Sequence, residues 1–231
     1  MALPRKLRCN ARAGQTPTAD GTGASRTPLT PDTIADAALR IIGDEGPDAL
    51  SFRRLAAALG VTQTTVHRHC GDTAGLLDMC ADRIAADLPD LPPGTPWADA
   101  TEQRFTALYE LMVRHPSLVA LCRGRPWLGP RLLARLVEPS LAANRAAGMT
   151  PRHMILAYRR MYLFTLACAG LVDHRDPNRA VARARTAFAA LDPDEFPTIT
   201  GELPAILDAV VDHEVFHGGL RHLITAHDPA R

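Results

Sequence analysis

Lysine is almost missing from this chain: Lys6 is the only one, and every other basic side chain is arginine or histidine. The accompanying wealth of Ala, Pro, Gly and Asp reads as coding bias from a GC-rich genome. Net charge is nearly missing too, at +1 over 231 residues. That excludes a general polyanion binder, so any affinity for nucleic acid must come from local patches. Cysteines are few and follow neither a metal nor a disulfide template: Cys9, Cys70, Cys80, Cys122 and Cys168. Reduced thiols in a cytoplasmic protein are the expectation. No apolar secretory core stands near the N-terminus. The longest apolar run, Met161 to Val172, is shorter than the roughly 20 residues a membrane-spanning helix needs. Between residues 97 and 228 no stretch alternates convincingly as a strand does. These absences leave an all-α cytoplasmic protein without a membrane partner. A hydrophobic fraction of 46% and a charged fraction of 22% exclude a mainly disordered chain.

What is present centres on Ser51–Cys70, SFRRLAAALGVTQTTVHRHC. Ser51 is placed to cap a helix, in which Leu55, Ala56 and Leu59 form one apolar face. Gly60 supplies the left-handed residue that ends it. Val61 is expected to be buried, and Thr62 to cap a second helix. That second helix has Val66 as its inward anchor, whereas Gln63, Thr64, Thr65, His67, Arg68 and His69 are polar. A helical hairpin on a protein surface is one reading. A helix-turn-helix is the stronger one, because so many hydrogen-bonding side chains on a short helix suit the base edges of a major groove. A helix over Leu29–Gly46, with Ile34, Ala38, Ile41 and Ile42 inward, precedes the pair. Another, opened by Gly71-Asp72-Thr73 and running through Leu76, Leu77 and Ile84, follows it.

The whole segment TPDTIADAALRIIGDEGPDALSFRRLAAALGVTQTTVHRHCGDTAGLLDMCADRI resembles the DNA-binding domain of the TetR (tetracycline repressor) family. His67 and Cys70 stand where the family commonly has Tyr and Phe. Thr73 stands where it often has a phosphate-contacting Lys. The resemblance implies that double-stranded operator DNA meets Ser51, Arg53, Thr62, Gln63, Thr64, Thr65, His67, Arg68, His69 and Thr73.

Three regions follow along the chain. Residues 1–28 carry Arg5, Lys6, Arg8, Arg12 and Arg26 against Asp20 alone. They read as a disordered basic tail, or as an arm that follows DNA. Residues 29–88 are the DNA-binding domain with its connector helix. Four prolines between Pro89 and Pro96 then break the chain, and residues 97–228 read as helices throughout. The expected helices are Trp97–Arg114, Ser117–Cys122, Gly129–Ala147, Thr150 to about Val172, Asn178–Leu191 and Pro204–His222. The fourth is apolar nearly all round and so expected to be central. RHPSLVALCRGRPWLGP, AYRRMYLFTLACAG and HEVFHGGLRHLI are similar to tetracycline-repressor-like C-terminal domains. That similarity implies a helical ligand-binding and dimerisation domain. Its homodimer interface would comprise the final helix and either the Val181–Leu191 helix or its predecessor.

Two further patterns bear on chemistry. His213-Glu214-Val-Phe-His217 is literally H-E-x-x-H, so a zinc hydrolase is an alternative. The chain lacks correctly spaced downstream ligands, and no metal or cofactor is expected. Tyr109, Met112, Trp127, Tyr158, Tyr162 and Thr165 can line a mostly apolar cavity for a small-molecule effector, or be ordinary core. Arg159 and Arg160 are weaker candidates for an acidic group. The family alignment puts Leu121 and Leu171 where tetracycline repressors coordinate magnesium, which implies metal-free induction. The expected function is therefore a non-enzymatic, ligand-responsive transcriptional regulator, a repressor released from a palindromic operator by a small molecule. A helical interaction module that binds no DNA is the remaining alternative.

Overall fold

Thr30 starts the first helix. Its hydroxyl accepts from the Thr33 amide at 3.2 Å, and the Thr33 hydroxyl accepts in return from the Thr30 amide at 2.8 Å. With Pro31 preset for the first turn, α1 spans Pro31–Asp44, two residues inside each end of the expected range. The computed structural model describes residues 29–121, 129–171, 174 and 176–229. The tail 1–28 and Trp127 lie outside the described residues.

A 3-10 turn, Pro47–Ala49, leads into α2 (Phe52–Leu59), α3 (Gln63–Cys70) and α4 (Thr73–Ala85). Ile34, Ala38, Ile41, Leu55, Val66, Leu76, Cys80 and Ile84 close over one another as the core of this head. Each side chain sits on the inward face its helical spacing dictates.

The second region packs around α5 (Trp97–Arg114), α9 (Pro151–Leu171) and α13 (Glu214–His227). Phe105 of α5 meets Tyr158 of α9 with ring centroids 6.0 Å apart. Tyr109 stacks on Phe216 of α13 at 3.9 Å. Between α5 and α9 come α6 (Pro116–Leu121), α7 (Pro130–Leu132), a π-helical stretch Leu133–Val137, and α8 (Glu138–Ala146). The expected Gly129–Ala147 helix is thus helical throughout but loosens inside. Pro139 cannot donate to the carbonyl four residues back, at Arg135, and the wider turn falls there. After α9 come α10 (Pro177–Ala189), α11 (Pro197–Gly201) and α12 (Leu203–Ala209). Among the described residues there is no strand, and no helix long and apolar enough to cross a membrane.

Two expectations need correction. Pro204–His222 is not one helix: it breaks between α12 and α13, and α13 continues to His227. The Asp212 carboxylate accepts from the Glu214 amide at 2.8 Å, an alternative to the helical bond, and Val210-Val211 adds β-branched crowding. The central helix α9 packs against α5, α13, α8 and α6, yet Ile155, Leu163 and Leu171 on it remain exposed. Its all-round apolarity therefore serves two surfaces, one of them outward.

Candidate nucleic-acid interface and regulatory core

The α2–α3 pair is held by local contacts. The Ser51 hydroxyl accepts from the Arg54 amide at 3.2 Å, and the Thr62 hydroxyl from the Thr65 amide at 3.2 Å. Gly60 closes α2 at φ 65°, a conformation that favours glycine. Its neighbour Val61 donates back to Ala56 at 3.0 Å. Val61 is half-buried rather than buried, and the second inward anchor of α3 is Cys70, whose thiol lies 3.1 Å from the Val66 carbonyl. Gly75 lets α4 approach the end of α3: a Cβ there would lie 2.1 Å from the Cys70 carbonyl oxygen. The start of α4 is capped by Asp72, which accepts from the Gly75 amide at 2.8 Å. Thr73 is the first helical residue.

Arg53, Gln63, Thr64, Arg68, His69 and Thr73 are exposed on the head. Ser51, Thr62 and Thr65 already use side-chain oxygens in capping; the Thr62 and Thr65 hydroxyls lie 2.9 Å apart. His67 is a clasp as well as a surface residue. Its ring stacks on Phe52 at 3.8 Å with planes 5° apart, and Nδ1 lies 2.7 Å from the Gly71 carbonyl. Arg54, one residue from Arg53, turns back to Glu45, where Nε donates to the carboxylate at 3.1 Å. That contact holds the Glu45 carboxyl below its usual range.

The head is tied to the second region by residues that sequence reasoning did not single out. The Arg131 amide at the start of α7 donates to Asp82 of α4 at 2.7 Å. The Arg131 guanidinium reaches Asp32 of α1 at 2.7 and 2.9 Å. Arg135 donates to the Leu88 carbonyl at 2.8 Å and pairs with Asp90 at 3.2 Å. One short helix thus touches both the first and last helices of the head. Only the folded chain brings these charges, which are 99 and 49 residues apart in sequence, together.

Of the expected effector residues, Tyr109, Met112, Tyr162 and Thr165 are buried and Tyr158 is half-buried. Tyr158 and Tyr162 stack one turn apart at 5.7 Å. Burial pushes the Tyr109 hydroxyl up to about 12, so it is protonated at neutral pH, and it lies 2.8 Å from His213 Nδ1. The Thr165 hydroxyl donates to the Met161 carbonyl at 2.8 Å within α9. Arg159 and Arg160 are exposed, and Arg160 meets His227 at 3.2 Å. A cleft of about 660 Å³ lies elsewhere, between the linker and α5, lined among others by Asp90, Asp99, Glu102, Glu110 and His217.

The H-E-x-x-H pattern does not form a zinc site here. His213 precedes α13 as its N-cap and faces Tyr109, and Glu214 is engaged by Arg221. Among the described residues no group of three or more His, Cys, Asp or Glu is arranged to hold a metal. The zinc hydrolase alternative is therefore not favoured.

Residues 34–80 match the model of bacterial regulatory proteins of the tetR family, and residues 88–225 match the tetracyclin repressor-like C-terminal domain. The transcriptional repressor DrrR1 of Streptomyces coeruleorubidus is 34% identical over 132 residues, 56% of this chain and 48% of that protein, so the match spans about half of that relative. The tetracycline repressor protein class D of Escherichia coli is 29% identical over 200 residues, 85% of this chain and 88% of that protein. Among solved structures, ActR of Streptomyces coelicolor in complex with (S)-DNPA superposes with a TM-score of 0.72 at 25% identity. That comparison covers 89% of this chain and 100% of that one. ActR bound to actinorhodin gives 0.71 at 25% identity, covering 87% and 95%. With both halves matched in order, and with a capped helix-turn-helix whose second helix is polar on its outer face, the chain belongs to the tetR family of bacterial regulatory proteins and is a DNA-binding transcriptional regulator.

Proposed function

We propose that the protein acts as a homodimeric repressor. Two copies of α3 enter successive major grooves of a palindromic operator, and a small organic effector in the regulatory core releases them without a divalent metal. The observation that carries this reading is the division of α3. Val66 and Cys70 anchor it, whereas Gln63, Thr64, Arg68 and His69 face outward. Ile155 and Leu163 on α9 and Val215 on α13 are exposed apolar side chains on two of the three central helices, which favours α9, rather than α10, as the partner of α13 in the dimer. α10 buries no residue of its own. The complexes of ActR with (S)-DNPA and actinorhodin support a small molecule as the effector. Leu121 and Leu171, which have no ligand atoms, support metal-free induction.

Release follows if the effector binds the two head spacings with different affinity. The Arg131 contacts to Asp32 and Asp82 supply a route by which movement of α7 reaches the head. The test uses operator duplex selected from a random-sequence library. Arg53→Ala and Gln63→Ala each weaken it by about 1–3 kcal/mol if they contact bases. Unchanged affinity in both variants would sink the recognition-helix assignment. Release by a metal-independent compound should persist in excess chelator.

A further inference from the structure

We propose that the effector is an organic anion, and that Arg104 of α5 is the residue that pairs with its charge. This rests on reading the regulatory core as the effector site. Arg104 lies two turns beyond Trp97 and one turn before Leu108, in the row of α5 that also includes Leu111. Leu108 and Leu111 are buried completely or nearly so, and Trp97 donates to Asn144 of α8 at 2.7 Å. A cation therefore stands in the middle of an inward apolar row, on a helix packed against α9, α13 and α8.

Its Nη1 is shut off from solvent and has no hydrogen-bond partner. No carboxylate among the described residues pairs with it. Arg54, Arg83, Arg131, Arg135 and Arg221 all differ in this respect, each meeting an Asp or Glu. Burial alone pushes the Arg104 guanidinium down from its ordinary value, with no neighbouring charge to offset it. Guanidinium remains protonated in proteins, and a buried charge is tolerated when something pairs with it. A carboxylate, sulfonate or phenolate supplies the missing acceptor in the planar geometry guanidinium favours. The protein then provides the cation itself, and an acidic effector needs no bridging metal.

The test uses two dyes that share one aromatic skeleton. 8-Anilinonaphthalene-1-sulfonate carries the anion and N-phenyl-1-naphthylamine lacks it. Full-length protein should bind the sulfonate at least roughly tenfold more tightly than the neutral dye, as a charged hydrogen bond implies. Arg104→Met should remove that preference and leave neutral-dye affinity in place; Arg104→Lys should keep part of it. Without dye, Arg104→Met should melt higher than the parent, because a half-buried cation with an enclosed, unpaired nitrogen has gone; an arginine serving only structure would show the reverse. Binding of the selected operator, measured in parallel, should be retained by both variants. If operator binding holds but Arg104→Met still prefers the sulfonate, the anion site is overturned and the regulator reading stands. Equal affinity of the parent for the two dyes, no binding of the sulfonate, or loss of both dyes together also overturns the site. If the parent selects no operator, the underlying reading falls with it.

Discussion

In the head, α1, α2, α3 and α4 each begin on a side-chain cap from Thr30, Ser51, Thr62 and Asp72. In the regulatory region α9 and α10 have such caps from Thr150 and Asp176, but α5, α8, α11, α12 and α13 begin without one. Among the described residues, the large hydrophobic side chains left exposed, Leu133, Ile155, Leu163, Leu171 and Val215, all belong to that second region. So does the buried guanidinium nitrogen of Arg104 that lacks a partner. The head caps the starts of its own helices, as an element that must present one fixed surface requires, while α1 and α4 also pack against α6 and α4 against α7. The regulatory region leaves apolar area and a charge unsatisfied, which the proposed second copy and effector would cover.

The sharpest way to break that contrast is to open the head's core. Leu55 is fully buried, so Leu55→Ala should cost about 2–5 kcal/mol of folding stability, read from urea denaturation, and abolish operator binding with it. A loss below about 1 kcal/mol would mean that the head's packing is looser than its burial indicates.

The exposed face of α9 should behave in the opposite way. Leu163→Ser should leave monomer folding nearly unchanged while weakening self-association by about 1–3 kcal/mol, measured by sedimentation across a dilution series. If stability falls and self-association does not, Leu163 belongs to the monomer's own packing.

Removing a cap tests whether local satisfaction in the head matters. Thr62→Ala should cost about 1 kcal/mol, the usual value of an N-cap side chain. The loss should appear in operator affinity as well as in the thermal midpoint, because the cap orders the recognition helix. An unchanged midpoint would place the capping energy elsewhere.

The smallest expected effect is a pH dependence of the regulatory region. His227 has its pKa held below the ordinary 6.5 by burial first, then by Arg160 and His153. His115 is held down by burial first, then by Arg114. The unfolded chain takes up these protons near 6.5, and the folded chain only at lower pH. The associated stability is thus fully present above pH 6.5 and is lost as pH falls through the lower folded values. Thermal midpoints should decline on acidification, and less steeply in His227→Phe; identical slopes in the two proteins would exclude His227 as a source.

The regions differ just as much in how far they can be read without coordinates. Ser51, Gly60, Thr62 and Val66 were legible as caps, turn and anchor, because each acts on residues within five positions of itself. Local chain geometry is enough to interpret such contacts. Cys70 as a second anchor was not foreseen, since its burial depends on how closely α4 approaches at Gly75. In the regulatory region the spacing of apolar residues located α5 and α9, but not the break before α13, which turns on a side-chain bond from Asp212. Arg104 carried one visible signal, a charge one turn before Leu108 on an apolar row, but arginines in such rows often reach solvent along their own stems. The sequence by itself determined an all-helical chain with a capped helix-turn-helix near its start, because caps, turns and helical period are properties of neighbouring residues. Only the tertiary structure decided that Arg131 joins Asp32 to Asp82, that His213 turns to Tyr109, and that the Nη1 of half-buried Arg104 is enclosed without a partner. Those facts depend on which distant surfaces meet, and burial and charge pairing acquire their energies only when they do.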